Sequence, residues 1–70
     1  MAAASISIVI PVYNEEPNLA ELIQRSLTAC RSLQRPFEII LVDDGSHDAS
    51  ATLITQAAQK HAGEIVGVLL

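Results

Sequence analysis

The sequence predicts an α/β fold in which three parallel strands alternate with two helices. Three runs rich in apolar residues lie near residues 5–11, 37–42 and 65–70. Between them, apolar residues recur every three or four positions, which is typical of helices with one buried face. Each intervening segment is long enough for a helical crossover, so we expect parallel pairing through right-handed connections. This βαβαβ order predicts the first half of a longer α/β domain.

The first strand and the first helix are predicted within residues 5–33. Pro11 closes the strand, because proline cannot donate a ladder hydrogen bond. Pro17 suits the first turn of a helix, which is predicted to cover residues 17–33. Acids near its start and bases near its end favour this helix through the helix dipole. Its apolar face is formed by Leu19, Leu22, Ile23, Leu27, Cys30 and Leu33.

The second strand, at residues 37–42, runs directly into two acids. Its apolar residues do not alternate with polar ones, which is typical of a strand that helices cover on both faces. Asp43 and Asp44 follow the strand, and Gly45 supplies the permissive backbone of a tight turn. The stretch therefore predicts a strand, an acidic turn and a helix start in succession.

The second helix follows this turn, and we expect Ser46 or Asp48 to accept hydrogen bonds from its free N–H groups. Apolar residues at helical spacing begin at Leu53, and Gly63 is predicted to end the helix. The third strand, at residues 65–70, ends the chain. Because a lone α/β unit of 70 residues is marginal, we expect a piece of a larger domain.

The composition argues against several classes of protein. Eight acids against four scattered bases give a formal net charge of −4, so we expect no nucleic-acid binding, which needs a basic stripe. No apolar run approaches the roughly 20 residues that cross a bilayer. Residues 1–5 lack the features of a targeting signal, so a cytoplasmic location is expected. The single cysteine, Cys30, is predicted to fill the core.

Two polar loops are predicted at one edge of the sheet, at residues 11–16 and 43–48. This carboxyl edge is where open α/β sheets bind their ligands. Asp43, as an ionised carboxylate, only accepts hydrogen bonds. It therefore suits the imide N–H of uracil or the amidine edge of guanine, and not the ring nitrogen of cytosine. Tyr13 could cover a ring, and Glu15 could accept from a ribose hydroxyl.

Other ligands fit the same edge less well. A dinucleotide fold also places an acid after its second strand, but residues 11–16 lack the glycines of its phosphate loop. A receiver-type phosphoacceptor site needs a further aspartate on a later strand, which this chain does not supply. Joint metal binding by Asp43 and Asp44 is an open alternative, although neighbouring side chains on a strand point apart.

Purely structural roles are the alternative for other polar residues of the second loop. Asp44, Ser46 and Asp48 suit turn formation and helix capping without any ligand. His47 and His61 lack the spacing of a metal site or a triad, and we interpret both as surface or helix-end residues.

In the first loop, structural and ligand-binding roles also compete. Asn14 either shapes the loop or contacts a ligand. We interpret Glu16 as a solvated acid in the first turn of the helix.

Two motifs resemble a known enzyme family. They are IVIPVYNE at residues 8–15 and EIILVDDGSHD at residues 38–48. Together they are similar to the opening of the inverting family-2 glycosyltransferases of GT-A fold. Residues 28–33 further resemble the branch that moves sugars onto polyprenyl phosphates, which includes undecaprenyl-phosphate formamido-arabinose transferase and dolichyl-phosphate mannose synthase. The resemblance covers essentially all 70 residues, which it implies are the N-terminal nucleotide-binding part of a Rossmann-like GT-A domain.

The resemblance implies a nucleotide pocket at the predicted sheet edge. Asp43 would meet the base, while Asp44 with Ser46 would shape the same loop. The positions implied for the pocket are Pro11, Tyr13, Glu15, Asp43, Asp44 and Ser46.

The resemblance also implies parts that these 70 residues lack. The family holds a divalent cation, Mg²⁺ or Mn²⁺, at an Asp-x-Asp motif and uses a later carboxylate as base, and neither is present. We therefore expect this chain to bind no metal and to be inactive alone, because a departing nucleoside diphosphate needs a cation or a basic cluster.

For the intact enzyme, the resemblance implies a UDP- or GDP-type sugar donor and a lipid acceptor, a polyprenyl phosphate. Its location would be the cytoplasm or the cytoplasmic face of the membrane, with membrane association only through downstream segments. The alternative hypothesis is a non-catalytic nucleotide-binding or structural α/β fragment.

Overall fold

The computed structural model describes residues 6–70 and has the predicted order of elements. They are β1 (Ile6–Val12), α1 (Glu16–Arg31), β2 (Phe37–Asp43), α2 (Ser50–Lys60) and β3 (Ile65–Leu69). The predicted start of the first strand at Ser5 lies outside the described residues. The α/β fold class with parallel βαβαβ order is confirmed.

The three strands form one parallel sheet in the order β1-β2-β3. Val12 lies opposite Asp43, and Asp43 lies opposite Leu69, so the carboxyl ends of the strands are level. Two hydrogen bonds extend this pairing beyond the strands. Asp44 N–H donates to the Val12 carbonyl and Leu70 N–H donates to the Asp43 carbonyl, each at 3.0 Å. The loops after β1 and β2 therefore share one edge of the sheet.

Both helices pack on one face of the sheet, so the expectation that helices cover both faces of β2 is wrong for the described residues. The two helices contact each other, and both contact β2. Two right-handed crossovers that advance in the same direction across a sheet lie on the same side of it. The other face is apolar and open within residues 6–70. It carries Val9, Ile40, Val42, Val66 and Val68.

The core lies between the helices and the covered face of the sheet. Burying a large aliphatic side chain here contributes about 1.5–3 kcal/mol. Cys30 is buried in this core, as predicted. The largest fully buried apolar side chains are Leu19, Leu27, Ile39, Leu41 and Ile54.

The helix α1 ends at Arg31, earlier than the predicted end at Leu33. Its last turn tightens into hydrogen bonds from Leu33 N–H to the Cys30 carbonyl at 3.1 Å and from Gln34 N–H to the Arg31 carbonyl at 3.3 Å. Gln34 then adopts a φ of 53°, in the left-handed region where helices stop. Arg31 also donates to both carboxylate oxygens of Glu64, at 3.0 and 2.8 Å, which joins this end of α1 to the turn before β3.

The helix α2 ends at Lys60, before the predicted stop at Gly63. It lies close to β3 at Gly67, where an added Cβ atom would be 2.8 Å from Ile54 Cγ2. Glycine therefore lets the helix approach the strand. Across residues 6–70, neither helix has the length and apolar character that crossing a membrane requires.

Candidate functional site

The loops that follow β1 and β2 lie side by side at the carboxyl edge of the sheet. The rings of Tyr13 and His47 meet edge to face, with centroids 6.4 Å apart and an interplanar angle of 79°. Val12 and Asp43, the last residues of their strands, are paired. The prediction that the segments beginning at Tyr13 and Asp43 emerge next to each other is therefore confirmed.

Asn14 shapes the first loop and joins it to the second. Its φ of 50° lies in the left-handed region, which Asn tolerates better than most residues. Its N–H donates to Ser46 Oγ at 2.9 Å, and its Oδ1 accepts from His47 N–H at 2.8 Å. Of the two roles considered for Asn14, these contacts support loop shaping.

The first residues of α1 and α2 cap each other across the two loops. Helix N-termini carry N–H groups without intrahelical partners, and here neither N-cap side chain binds them. Asp48 accepts from Ser50 N–H through Oδ1 at 2.9 Å and from Glu16 N–H through Oδ2 at 3.1 Å. Ser50 Oγ accepts from Glu15 N–H at 3.0 Å. Glu16 Oε1 accepts from Ala49 N–H at 3.1 Å.

This capping agrees with the prediction only in part. Asp48 binds the start of α2, as predicted, whereas the Ser46 hydroxyl binds the first loop instead. Glu16 is exposed in the first turn of α1, as interpreted, and its side chain is also hydrogen-bonded to the second loop. The sequence does not predict a role for Ser50, which is completely buried. Its one local signal is its position two residues after Asp48, the spacing of an Asx turn.

Hydrogen bonds lower the pKa of Asp48 below its ordinary value. The largest cause is the hydrogen bond with the Ser50 side chain. Burial opposes it, and the main-chain N–H groups of Ser50 and Glu16 lower the pKa further. These donors stabilise the ionised carboxylate, which is the form that accepts two hydrogen bonds at once. The charge of Asp48 is therefore part of the capping arrangement.

Asp43 has a buried carboxylate with one unpaired oxygen. The residue is 3% exposed, and its Oδ2 accepts from Ser46 N–H at 3.1 Å. Its Oδ1 is enclosed and has no hydrogen-bond partner in the part of the chain that the structure describes. A buried acceptor without a donor costs about 1–3 kcal/mol, more when charged. A ligand that donates a hydrogen bond to Oδ1 would remove this cost.

Three of the other predicted site residues lie on the two loops at the same edge as Asp43, with different exposure. Tyr13 and Glu15 are exposed on the first loop. Ser46 is half-buried, and it is bonded to both Asn14 and Asp43. The structure thus brings Tyr13, Glu15 and Ser46 to the same edge as Asp43.

Asp44 and Pro11 lie differently from these residues. Asp44 is exposed, in contrast to the buried Asp43, as expected for neighbours that leave a strand on opposite sides. Pro11 lies opposite Val42 on the open face of the sheet. Alternation along β1 therefore directs the Pro11 ring away from the Asp43 side chain.

The described residues do not form a metal site. Within residues 6–70, no group of three or more His, Cys, Asp or Glu side chains is arranged to hold a metal ion. The opposed directions of Asp43 and Asp44 argue against joint metal binding by this pair. A divalent cation therefore does not fit the residues described.

A groove of about 250 Å³ lies elsewhere, between α1 and α2, and contains none of the loop residues. It is lined by apolar side chains such as Ile23 and Leu53, with Lys60 and His61 among its polar residues. The groove is thus separate from the edge that carries Asp43.

Sequence comparisons relate this chain to sugar-transferring enzymes. The family model described as "Glycosyl transferase family 2" matches residues 7–69. An undecaprenyl-phosphate 4-deoxy-4-formamido-L-arabinose transferase of Pectobacterium atrosepticum is 58% identical over 66 residues, which are 94% of this chain and 20% of that protein. The protein of the same name in Pseudomonas paraeruginosa is 57% identical over 65 residues, covering 93% and 19%. The chain thus spans about a fifth of the length of these curated relatives.

Proposed function

Because this chain belongs to glycosyl transferase family 2, we propose that its two loops bind the nucleotide of a UDP- or GDP-type sugar donor. The family match covers both loops and all three strands except the first residue of β1. Nucleotide binding is the part of the family's function that this arrangement of residues can perform.

The observation that carries the proposal is the unpaired Oδ1 of Asp43. This oxygen has no donor within residues 6–70 and, when the carboxylate is ionised, only accepts hydrogen bonds. Because it is enclosed, binding requires the second loop to shift so that the edge of a base can reach it. The N3–H of uracil, or the N1–H and amino group of guanine, would donate to it. The ring nitrogen of cytosine is itself an acceptor and would be repelled.

The neighbouring residues supply the rest of the pocket. The Tyr13 ring is 53% exposed at this edge and meets the His47 ring edge to face, and we propose that it stacks on the base. The exposed Glu15 is placed to accept from a ribose hydroxyl. Ser46 and Asp44 keep the role of shaping the second loop.

Pro11 is less well placed to contact a nucleotide than these residues. Its ring faces the open side of the sheet, away from the Asp43 side chain. We therefore propose that Pro11, one residue before the end of β1 at Val12, acts by directing the chain into the first loop.

For the whole protein we propose transfer of the sugar to a polyprenyl phosphate at the cytoplasmic face of the membrane. The names of the relatives, which transfer 4-deoxy-4-formamido-L-arabinose to undecaprenyl phosphate, support this acceptor class. We propose the present chain as the nucleotide-binding part of that protein. The alternative is a nucleotide-binding or structural unit without catalysis.

Family members generally use a divalent cation, but the residues described here do not fit one. We propose that Mg²⁺ or Mn²⁺ is held in the whole protein by residues outside this chain. The cation would neutralise charge on the departing nucleoside diphosphate. The 70 residues alone are then expected to bind nucleotide without transferring sugar.

Calorimetric titration of UDP, GDP and CDP into the chain tests the proposal. We expect UDP or GDP to bind more tightly than CDP. In Asp43→Asn, the loss of a charged acceptor should weaken UDP binding about ten-fold. The amide can also donate to the cytosine ring nitrogen, so the preference for UDP over CDP should shrink. Glu21→Gln, which removes an exposed charge of α1, should leave both affinities unchanged.

The opposite results would count against nucleotide binding. Absence of binding by all three nucleotides would favour the structural alternative. An unchanged preference in Asp43→Asn would remove the proposed role of Asp43.

A further inference from the structure

Asp48 makes hydrogen bonds to both helix starts at the sheet edge, yet it is not among the residues proposed to touch the nucleotide. Its Oδ1 accepts from Ser50 N–H at the start of α2, and its Oδ2 accepts from Glu16 N–H at the start of α1. We refer to these two hydrogen bonds as the Asp48 bridge. It joins segments that are 32 residues apart in sequence.

The bridge lies next to the residues of the proposed pocket. Glu16 directly follows Glu15, so its anchored N–H fixes the end of the loop that carries Tyr13 and Glu15. On the other side, Asp48 belongs to the loop whose Ser46 N–H holds Asp43 Oδ2 at 3.1 Å. A shift at the bridge therefore changes the distance between the first loop and Asp43.

The chemistry of the bridge requires a carboxylate. Both oxygens of Asp48 accept, one from each helix start, and an ionised carboxylate has two equivalent acceptor oxygens. An asparagine has one acceptor oxygen and one amino group. It could keep the bond to Ser50 N–H, but its amino group would then face the Glu16 N–H, donor against donor.

Glu16 provides a contrast with Asp48 in the same network. Its side chain uses one oxygen, Oε1, which accepts from Ala49 N–H at 3.1 Å. A glutamine retains that acceptor. The substitutions Asp48→Asn and Glu16→Gln therefore remove the same charge, but only the first breaks a hydrogen bond between the loops.

We propose that Asp48 is a positioning residue for nucleotide binding, which sets the separation of Tyr13 and Glu15 from Asp43 by joining the starts of α1 and α2. This inference rests on the proposed nucleotide-binding function of the two loops. Asp48 acts through its neighbours and makes no contact with the nucleotide. Its effect is on affinity, whereas Asp43 determines which base is accepted.

The test is calorimetric titration of UDP and CDP into the wild-type chain, Asp48→Asn and Glu16→Gln, under conditions where circular dichroism shows each to be folded. We expect Asp48→Asn to bind UDP about ten-fold more weakly, because binding must then order loops that the Asp48 bridge holds in place in the wild type. The preference for UDP over CDP should persist. Glu16→Gln should bind UDP as the wild type does.

A readout without ligand accompanies the titration. Amide hydrogen exchange of Glu16 should be faster in Asp48→Asn than in the wild type, because its N–H loses its acceptor. In Glu16→Gln the protection of this amide, relative to its exchange rate in an unstructured chain, should be unchanged. If Asp48→Asn does not fold, Asp48→Ser serves instead, since its hydroxyl can cap α2 but is too short to accept from both helix starts.

The outcomes separate this inference from the function on which it rests. If the wild type and Asp48→Asn bind UDP with equal affinity, the positioning role alone is overturned. Equal weakening in Asp48→Asn and Glu16→Gln would assign the effect to charge and would also overturn it. Absence of UDP binding by the wild type would overturn the nucleotide-binding proposal itself, and the positioning role with it.

Discussion

Ser50 Oγ accepts a hydrogen bond from the main-chain N–H of Glu15 at 3.0 Å, across 35 residues of sequence. Ser50 is the first residue of α2, and Glu15 directly precedes α1. The hydroxyl is completely buried, so a single side chain links the local stability of both helix starts.

Ser50→Ala is therefore expected to destabilise the chain by about 1 kcal/mol, because the Glu15 N–H loses its acceptor. Urea unfolding followed by circular dichroism measures this change. Ser32→Ala is the matched control, since its hydroxyl is exposed and bonds only to the Ala29 carbonyl. The control should change stability by less than about 0.5 kcal/mol. Equal losses in both variants would contradict a special role for Ser50.

Gln34→Gly is expected to stabilise the chain by up to about 1 kcal/mol. Gln34 has a φ of 53° after the end of α1, where residues with a Cβ atom are strained and glycine is not. Gln24→Gly, in the interior of α1, is the control and should destabilise by about 1 kcal/mol. Thermal unfolding of the two variants compares them directly. A loss of stability in Gln34→Gly would show that the glutamine side chain contributes more than the strain costs.

Gly67→Ala is expected to destabilise the chain by about 1–3 kcal/mol through overpacking. The new Cβ atom would lie 2.8 Å from Cγ2 of Ile54, a fully buried side chain. Ile54→Ala removes that atom, so the penalty of Gly67→Ala should be smaller in the Ile54→Ala background. A double-mutant cycle of unfolding free energies measures the coupling. Additive effects would mean that the penalty of Gly67→Ala does not arise from its contact with Ile54.

Acidification should lower the stability of the chain through Asp48 and Glu64. The pKa of Asp48 is lowered mainly by hydrogen bonding to Ser50, and the pKa of Glu64 mainly by the hydrogen bond from Arg31. A lowered folded-state pKa contributes stability that is present above the unfolded-state pKa, and it is lost as the pH falls through the folded-state pKa. At pH values under about 4.5, the urea concentration at the unfolding midpoint should therefore decrease as the pH falls. It should fall less in Asp48→Asn, which has one such group fewer, and an identical pH profile would contradict this assignment.

The parts of the fold that local patterns determine could be predicted from the sequence. Spacings of three and four along α1, and the apolar run before Asp43, are properties of neighbouring residues, and they predicted the elements correctly. Parallel pairing places the carboxyl ends of β1 and β2 at the same edge of the sheet. For this reason the sequence alone predicts that the segments beginning at Tyr13 and Asp43 lie next to each other.

The missed features depend on residues far apart in sequence. The apolar run of β2 resembles a strand covered on both faces, but the direction of the crossovers leaves Ile40 and Val42 on an open face. Local patterns predict capping of each helix by residues next to its own start, whereas Glu16 and Ser50 bind N–H groups of the neighbouring loop. Such contacts have no signature in a short window of sequence. The unpaired oxygen of Asp43 likewise becomes visible only when burial is known.

The burial of Cys30 gives this chain an internal reporter of opening. It is the single thiol among the 70 residues, and 2% of it is accessible to water. A thiol-specific reagent can therefore label the protein rapidly only after the last turn of α1 separates from the sheet. The labelling rate measures the frequency of that separation in every variant described above, with no added probe.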